Sequence, residues 1–436
     1  MPLRATFCNA RCVKRLRGLT AAWVLCAFAA TAAGEPGASS EPAAAPARLT
    51  LELRPDETHQ TIDGFGASGG WCGSAVGAWP EAARHRVLEL LFDHERGAAL
   101  SIYRYDIGAG GGQEQQDDWR RVPCVEVAPG EYDLTRDPGV RLAREAVAAG
   151  ADRLVAFANS PPGRLTRNGM TRVRRGEKES NLPPENYAAY ATYLCDIVTL
   201  LREAGLPVAA VSPINEPQWA WDSSRGEGLH LSPDQAVAFL EAYARQHNRR
   251  LPEVGIEAFE SGSWPATRRY LKRVLASPLL VESIDSLAVH SYWSTNRDRR
   301  RFAGWWRGRK IDLPKRLPIR MTEFCQMRRG REPGMDSACQ VAETIIADLT
   351  INDVISWSWW LAVSNMDYRD GLIQSSGDGS WIEPNKRLWS LAHFARFMPK
   401  GSVRIGARCM PKQGGSDTGS GDNVGNPGGE PLPVMA

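Results

Sequence analysis

Eight short apolar runs recur along the middle of the chain, and longer stretches with apolar residues at helical spacing lie between several of them. The runs are Thr61–Phe65, Leu100–Ile107, Leu154–Asn159, Val208–Asn215, Val254–Phe259, Ser286–Tyr292, Ile319–Glu323 and Val354–Trp360. The helix-like stretches are Pro80–Phe92, Asn186–Glu203, Ser232–Asn248 and Ala338–Ile351. Buried strands that alternate with helices form a parallel sheet. Eight such units over roughly three hundred residues predict a (β/α)8 TIM barrel rather than an open doubly wound sheet.

The N-terminal segment has the pattern of a secretory signal peptide. Basic residues precede the apolar run Leu19–Ala33, which is too short to span a bilayer comfortably and ends in small residues. We therefore expect cleavage near Ala33 and a secreted or periplasmic protein with no membrane contact after cleavage. An uncleaved N-terminal anchor is the alternative. Residues 34–48 are rich in Ala and Pro, and residues 413–436 in Gly, Ser and Pro, so both segments are predicted to be disordered.

Composition and charge narrow the classes of partner. The chain has 436 residues, of which 43% are hydrophobic, so it can bury a sizeable core. Removal of residues 1–33 takes away five of the 53 Lys and Arg residues and no acidic residue, which leaves 48 basic against 50 acidic residues. A net charge of −2 does not favour nucleic acid as a partner.

The cysteine and ligand patterns do not predict a metal or another cofactor. The cysteines beyond Ala33 are Cys72, Cys124, Cys195, Cys325, Cys339 and Cys409, with no CxxC pair. In an oxidising compartment some could form disulfides, but the sequence does not give their connectivity. No His, Asp or Glu cluster has the spacing of metal ligands.

Polar and aromatic residues stand where the predicted strands end. In a TIM barrel these ends converge on one face, where the active site is built. The residues are Arg104, Asp106, Asn159, Asn215, Glu216, Glu260, His290, Tyr292, Glu323, Trp359 and Trp360.

Glu216 and Glu323 form the best-placed carboxylate pair, at the ends of predicted strands four and seven. Glycoside hydrolysis needs two carboxyl groups beside the scissile bond: about 5–5.5 Å apart for retention of configuration, or about 6.5–9.5 Å apart for inversion. We expect Glu216 to hold a proton near neutral pH, because burial and the like charge of Glu323 disfavour its ionised form. Glu323 should stay ionised, supported by Tyr292 or Arg104. For any single glutamate, a surface or salt-bridged carboxylate is the alternative.

The motifs in chain order carry a family resemblance. The segments "QTIDGFGASGGW", "YRYDIGAG", "FANSPP", "SPINEPQW", "VHSYW", "MTEF" and "WSWWLAVSNMDYRDGLI" resemble glycoside hydrolase family 30 of the retaining barrel clan, and within it the endo-β-1,6-galactanase branch. The resemblance covers about Leu49 to Ile405. It implies a retaining hydrolase whose substrate is a β-linked polysaccharide or oligosaccharide.

The resemblance also implies roles for individual residues. Glu216 of "NEP" matches the acid/base and Glu323 of "TEF" the nucleophile. Asn215 matches a donor to the sugar 2-hydroxyl, Arg104 an arginine near the nucleophile, and Tyr292 a tyrosine that hydrogen-bonds it. Asn159 is placed with the substrate-binding residues, while His290 is either a supporting or a core histidine. Sugar-stacking faces, with barrel-top core as the alternative, are expected from Trp71, Trp219, Trp221, Trp293 and Trp359. Trp305 and Trp306 are expected in an arginine-rich loop.

Family members also carry a side β-sandwich, of which this chain shows a remnant. Residues 49–60 match its first strand, with alternating Leu49, Leu51 and Leu53, and residues 399–412 supply one later strand. The barrel then spans residues 61–398. Three alternatives to a galactanase remain: another family 30 activity (β-1,6-glucanase, xylanase or exo-β-glycosidase), a non-catalytic carbohydrate-binding protein, or a truncated homologue without activity. Oligomeric state and endo or exo action are open.

Overall fold

The computed structural model describes residues 50–111, 120–222, 226–309 and 313–410. The predicted signal peptide, linker and C-terminal tail lie outside these residues. The strands are β1 (Thr50–Thr61), β2 (Gly64–Ser68), β3 (Ile102–Asp106), β4 (Glu126–Ala128), β5 (Glu131–Tyr132), β6 (Arg153–Phe157), β7 (Val208–Ser212), β8 (Gly255–Ser261), β9 (Ser286–His290), β10 (Ile319–Glu323), β11 (Gln326–Arg329), β12 (Ser356–Ser364), β13 (Tyr368–Arg369), β14 (Gly371–Ser375), β15 (Ile382–Pro384) and β16 (Val403–Met410).

Helices of the same residues alternate with the longer strands. They are α1 (Cys72–Gly77), α2 (Glu81–Phe92), α3 (Pro138–Ala148), α4 (Tyr187–Glu203), α5 (Pro233–Arg250), α6 (Trp264–Val274), α7 (Pro278–Ser283), α8 (Asn296–Arg307), α9 (Met335–Ile351) and α10 (Lys386–Phe397). The four helices predicted from apolar periodicity are confirmed as α2, α4, α5 and α9. Short 3-10 turns cover Leu134–Arg136, Gly163–Leu165 and Pro184–Asn186.

Eight parallel strands close into a barrel, which confirms the predicted (β/α)8 fold. The order is β2, β3, β6, β7, β8, β9, β10 and β12, and β12 closes the ring by pairing with both β10 and β2. The strands are buried along nearly their whole length, because helices cover the outside of the sheet and side chains fill its centre. The C-terminal ends of these strands therefore meet at one mouth.

The start of the barrel and the position of Trp305 and Trp306 differ from the sequence prediction. The first predicted barrel run included Thr61, but Thr61 ends β1, and the barrel begins at Gly64. Trp305 and Trp306 lie in helix α8 and not in a loop. Thr295 and Asp298 form a capping box that starts this helix, and Phe302, Ala303 and Trp306 supply its buried stripe. Buried Arg299 also belongs to this stripe, and the other arginines of the helix are exposed.

Strand β1 lies outside the barrel and pairs with β16 in an antiparallel ribbon. The pairing runs from Thr50 opposite Met410 to Thr61 opposite Val403, with irregular register near Thr58. The sequence placed this later strand within residues 399–412, and β16 spans Val403–Met410 of that range. Arg404 of β16 donates to Gln60 Oε1 of β1 (2.8 Å) within the ribbon. It also donates to Asp353 (2.9 Å), which lies between α9 and β12 and so ties the ribbon to the barrel.

No helix among the described residues is both long and apolar enough to cross a membrane. Five cysteines are free thiols, namely Cys72, Cys124, Cys195, Cys325 and Cys339.

Candidate active site

A cavity of about 970 Å³ opens at the mouth formed by the C-terminal strand ends. Both predicted glutamates line it, together with Asn159, Asn215, Tyr292 and five tryptophans. A cavity of this size with mixed polar and aromatic walls suits a ligand that carries many hydroxyl groups on apolar ring faces.

Glu216 lies in the loop after β7 and has a left-handed backbone, with φ of 40°. Its N–H donates to the carbonyl of Glu260 (2.9 Å), which holds this turn against the end of β8. A non-glycine residue in this region carries strain, and such strain clusters at functional sites. The turn directs the carboxylate to the cavity wall, where the side chain is buried and close to Gly262.

Glu323 is the last residue of β10, and two donors fix its carboxylate. The Tyr292 hydroxyl donates to Oε1 (3.1 Å), and Arg104 Nη1 lies 3.3 Å from Oε2. A carboxylate oxygen of Glu216 lies within 4.8 Å of one of Glu323. The structure thus brings together the two glutamates that the sequence singled out.

A third buried glutamate, Glu260 at the end of β8, links the groups around the pair. Its Oε1 accepts from Arg104 Nη2 (2.9 Å), and its Oε2 pairs with His290 Nε2 (2.9 Å) and accepts from the Thr322 hydroxyl. His290 Nδ1 lies 3.0 Å from Glu216 Oε1 and 3.6 Å from Glu323 Oε1. His290 is therefore a supporting residue of the site. Sequence reasoning noted Glu260 at a strand end but gave it no role.

Charge complementarity sets the protonation of this network. Burial disfavours an ionised Glu260, but the charge of Arg104 and the hydrogen bond from His290 outweigh it and lower the pKa of Glu260 to about 2. Burial likewise disfavours a charged His290, yet the charge of Glu323 and the hydrogen bonds to Glu216 and Glu260 raise the pKa of His290 to about 10. Two cations, Arg104 and His290, thus stand among three carboxyl groups.

Burial raises the pKa of Glu323, and the negative charge of Glu216 raises it further. The positive charges of His290 and Arg104 act in the opposite direction. We expected Glu323 to be the ionised member of the pair on the strength of those donors alone. Desolvation of a fully enclosed carboxylate is the competing effect. Glu323 therefore takes up a proton at higher pH than an isolated glutamate would.

Glu216, His290 and Glu323 also have the ligand types of a metal site, with their atoms within 4.8 Å of one another. Both ring nitrogens of His290, however, face carboxylates, at 3.0 Å and 2.9 Å. A histidine that donates to a carboxylate from each ring nitrogen has no lone pair for a metal ion. The donor set suits a proton-transfer site better than a metal centre.

Another buried glutamate, Glu227, lines the cavity and was not found from the sequence. Its carboxylate accepts from the backbone N–H groups of Ala109 (3.1 Å) and Gly111 (2.9 Å) and so holds the glycine-rich segment after β3. Burial raises the pKa of Glu227 to about 8, against these donors. The sequence gave no indication of this role, because Glu227 lies in an irregular loop and not at the end of a predicted strand.

Four of the five predicted stacking tryptophans line the cavity, and the fifth lies in the core. Trp71, Trp219, Trp221 and Trp293 line the cavity. At its rim, Trp219 and Trp293 are 44% and 59% exposed and stand edge to face, with ring centroids 5.3 Å apart. The prediction for Trp359 as a stacking face is wrong, because its ring is fully buried and lies near Arg387 of α10. Its neighbour Trp360 lines the cavity instead and meets Trp71 edge to face at 5.1 Å.

Comparison with known proteins places this site in a family. The model of O-glycosyl hydrolase family 30 matches residues 48–268 and 321–374, which include both Glu216 and Glu323. Glucuronoxylanase XynC of Bacillus subtilis (strain 168) is 26% identical over 288 residues, which cover 62% of this chain and 58% of the relative. The chain thus spans well under the full length of that relative.

Solved structures share the fold. A conserved exported protein from Bacteroides fragilis gives a TM-score of 0.73 at 23% identity, with 84% of each chain covered. An endo-β-1,6-glucanase gives a TM-score of 0.67 at 19% identity, with 85% of this chain and 83% of the other covered. Since the family model matches more than half of the residues, the chain belongs to O-glycosyl hydrolase family 30.

Proposed function

We propose that the protein is a retaining β-glycosidase that uses Glu323 as nucleophile and Glu216 as acid/base. The observation that carries this proposal is the approach of the two carboxylates to within 4.8 Å beside the cavity. Retaining enzymes place the two groups about 5–5.5 Å apart, whereas inverting enzymes leave room for a water molecule at about 6.5–9.5 Å. The distance favours direct attack by a carboxylate.

The proposed reaction has two displacements. A Glu323 oxygen attacks the anomeric carbon while the glycosidic C–O bond breaks and the Glu216 proton passes to the leaving oxygen. Glu216 then removes a proton from water, which attacks the anomeric carbon and releases Glu323. Tyr292 and Arg104 hold the nucleophile for the first step. With Arg104 and His290 positive and Glu260 and Glu323 negative, the network is neutral when Glu216 is protonated.

For the substrate, we propose the β-1,6-galactan side chains of a polysaccharide, cleaved internally. The motif resemblance supports the galactanase branch, and the cavity with Trp219 and Trp293 exposed at its rim supports binding of several sugar units. We also propose that the protein acts outside the cytoplasm, because residues 1–33 have the pattern of a signal peptide.

A second candidate is hydrolysis of glucuronoxylan or β-1,6-glucan. It is favoured by the similarity to a glucuronoxylanase and by the shared fold with an endo-β-1,6-glucanase.

A hydrolysis screen tests both candidates. Purified protein is incubated with β-1,6-galactan, β-1,6-glucan and glucuronoxylan, and the products are separated by size. We expect mixed oligosaccharides from galactan and little release from the other two, and the Glu323→Gln variant should release none. Faster cleavage of xylan or glucan than of galactan would favour the second candidate. If the protein cleaves no β-glycoside, the proposed catalytic roles of Glu216 and Glu323 are refuted.

A further inference from the structure

Helices α6 and α8 lie side by side on the outside of the barrel and form a strongly basic surface. The rings of Trp264 and Phe302 join them, with centroids 4.9 Å apart, and the guanidinium group of Arg268 lies 5.6 Å from the centre of the Trp305 ring. Helix α6 contains four Lys or Arg residues and helix α8 contains five, against one acidic residue, Asp298. Elsewhere in residues 34–436, acidic residues outnumber basic ones.

Several of these cations have no acidic partner. Arg299 is buried against Asp348 (2.7 Å), and Arg273 pairs with Asp234 of α5 (3.2 Å). The exposed cations of the two helices that form no ion pair with any residue the structure describes include Lys272, Arg301 and Arg307. We call these three residues together with Arg268 the α6–α8 surface.

The spacing of the residues places two of the exposed cations along the groove between the helices. Lys272 follows Arg268 by four residues, and Arg301 precedes Trp305 by four residues, so each pair shares one face of its helix. Because Arg268 and Trp305 contact each other, Lys272 and Arg301 border the same groove.

Arg307 borders a second cavity, of about 510 Å³, at the end of α8. Exposed Arg316 also lines this cavity, and Trp306 supplies part of an apolar wall. Ile319, the first residue of β10, lines it as well, whereas Glu323, the last residue of β10, lines the cavity at the barrel mouth. The second cavity therefore lies towards the opposite end of the barrel from the proposed catalytic pair.

We propose that the α6–α8 surface and the cavity at its end form an accessory site that binds a carboxylate-bearing polysaccharide. A guanidinium group pairs with a carboxylate through two parallel hydrogen bonds, and a cluster of cations raises the local concentration of an anionic polymer. A cavity of about 510 Å³ is large enough for sugar units of such a chain. The proposal rests on the proposed glycosidase function, since the site holds the protein on the polysaccharide material that it hydrolyses.

Other anionic partners match this surface less well. The exposed large apolar side chains among the described residues lie outside α6 and α8, whereas a helix that binds a membrane surface inserts an apolar face. Single-stranded nucleic acid stacks its bases on exposed aromatic rings, but Trp305 is half-buried and contacts Arg268. The surface thus offers charge without an apolar face or a stacking platform.

The affinity for sodium polygalacturonate, a polymer of carboxylate-bearing sugars, tests the proposal. Binding to the purified protein is measured by isothermal titration calorimetry at low salt. The test variant removes three charges from the α6–α8 surface: Lys272→Gln, Arg301→Gln and Arg307→Gln. The matched control removes three exposed charges from α3 and α5: Arg141→Gln, Arg144→Gln and Arg249→Gln. We expect the test variant to lose affinity by about tenfold or more and the control to bind as the wild type does.

Several results would overturn the proposal. They are no binding of polygalacturonate by the wild type, an equal loss of affinity in the two variants, and tighter binding of κ-carrageenan, duplex DNA or phosphatidylserine vesicles than of polygalacturonate. These probes separate a carboxylate polysaccharide from a sulfated one, from nucleic acid and from a membrane.

Turnover separates this site from the proposed active site. Hydrolysis of a small aryl β-glycoside should be unchanged in the test variant, because the α6–α8 surface does not line the cavity that contains Glu216 and Glu323. If the wild type cleaves no β-glycoside, the proposed function fails, while the affinity for polygalacturonate still decides whether the accessory site exists.

Discussion

Glu216 and Glu323 face each other but are held by different partners. Glu323 contacts Tyr292 and Arg104, which stabilise a carboxylate, whereas Glu216 contacts His290 Nδ1. Glu260 connects these partners by pairing with both Arg104 and His290. At the residue scale, this asymmetry is what separates a nucleophile from an acid/base, because the two side chains are otherwise identical.

Replacement of the acid/base should affect substrates according to their leaving groups. Glu216→Ala is expected to slow glycosides with alkyl or sugar leaving groups by about 10²–10⁴-fold and activated aryl glycosides far less, because only poor leaving groups need the proton to depart. The measurement is kcat/KM across a series of leaving groups. Equal losses along the series would show that Glu216 is structural.

The sequence pointed to the proposed catalytic pair because the strand ends of a barrel converge, and carboxylates at those ends are candidates for chemistry. It could not choose between Trp359 and Trp360, since neighbouring residues in a strand point to opposite sides and a shift of one position exchanges them. Nor could it give Glu260 its role, because the bonds to Arg104 and His290 join three strands that are distant in sequence.

At the scale of elements, the neighbouring strands β7 to β10 build the network together with β3, which carries Arg104. Strands β8, β9 and β10 carry Glu260, His290 and Glu323, and the loop after β7 carries Glu216. Gly262, just after β8, leaves room for this loop. A Cβ there would lie 2.5 Å from Glu216 Oε1 and 2.4 Å from the Gln218 amide.

Gly262→Ala should therefore displace the Glu216 carboxylate. A shift of about 1 Å at a reacting group can cost about 100-fold in rate, so we expect a fall of that order in kcat with the fold retained. Gly304→Ala is the matched control, since Gly304 lies in helix α8 and a Cβ there would meet nothing within 4 Å. Circular dichroism and kcat are measured for both variants. Full activity in Gly262→Ala would contradict the packing argument.

The sequence predicted a helix well when that helix buries many apolar residues. Helices α4 and α9 bury many residues and show a clear period in the sequence. Helix α8 buries few residues among arginines, so its start depends on the capping box of Thr295 and Asp298, which apolar counting ignores.

For the whole molecule, the ribbon of β1 and β16 is notable for the apolar side chains that it exposes. Leu51, Leu53 and Val403 are 43%, 58% and 46% exposed on it, and a two-stranded ribbon alone is marginal in water. We predict self-association or low solubility of the mature chain through this surface. Light scattering after size exclusion should show oligomers that Leu51→Thr with Leu53→Thr reduces. A soluble monomer with a cooperative, high thermal transition would contradict the prediction.

The most direct test of the whole account is to trap the covalent intermediate. A 2-deoxy-2-fluoro β-glycoside with an activated leaving group should label the protein once, and peptide mass spectrometry should place the sugar on the peptide that contains Glu323. The Glu323→Gln variant should stay unlabelled because its amide cannot form the ester. A label on another residue, or turnover with inverted configuration and no label, would contradict the assignment of Glu323 as nucleophile.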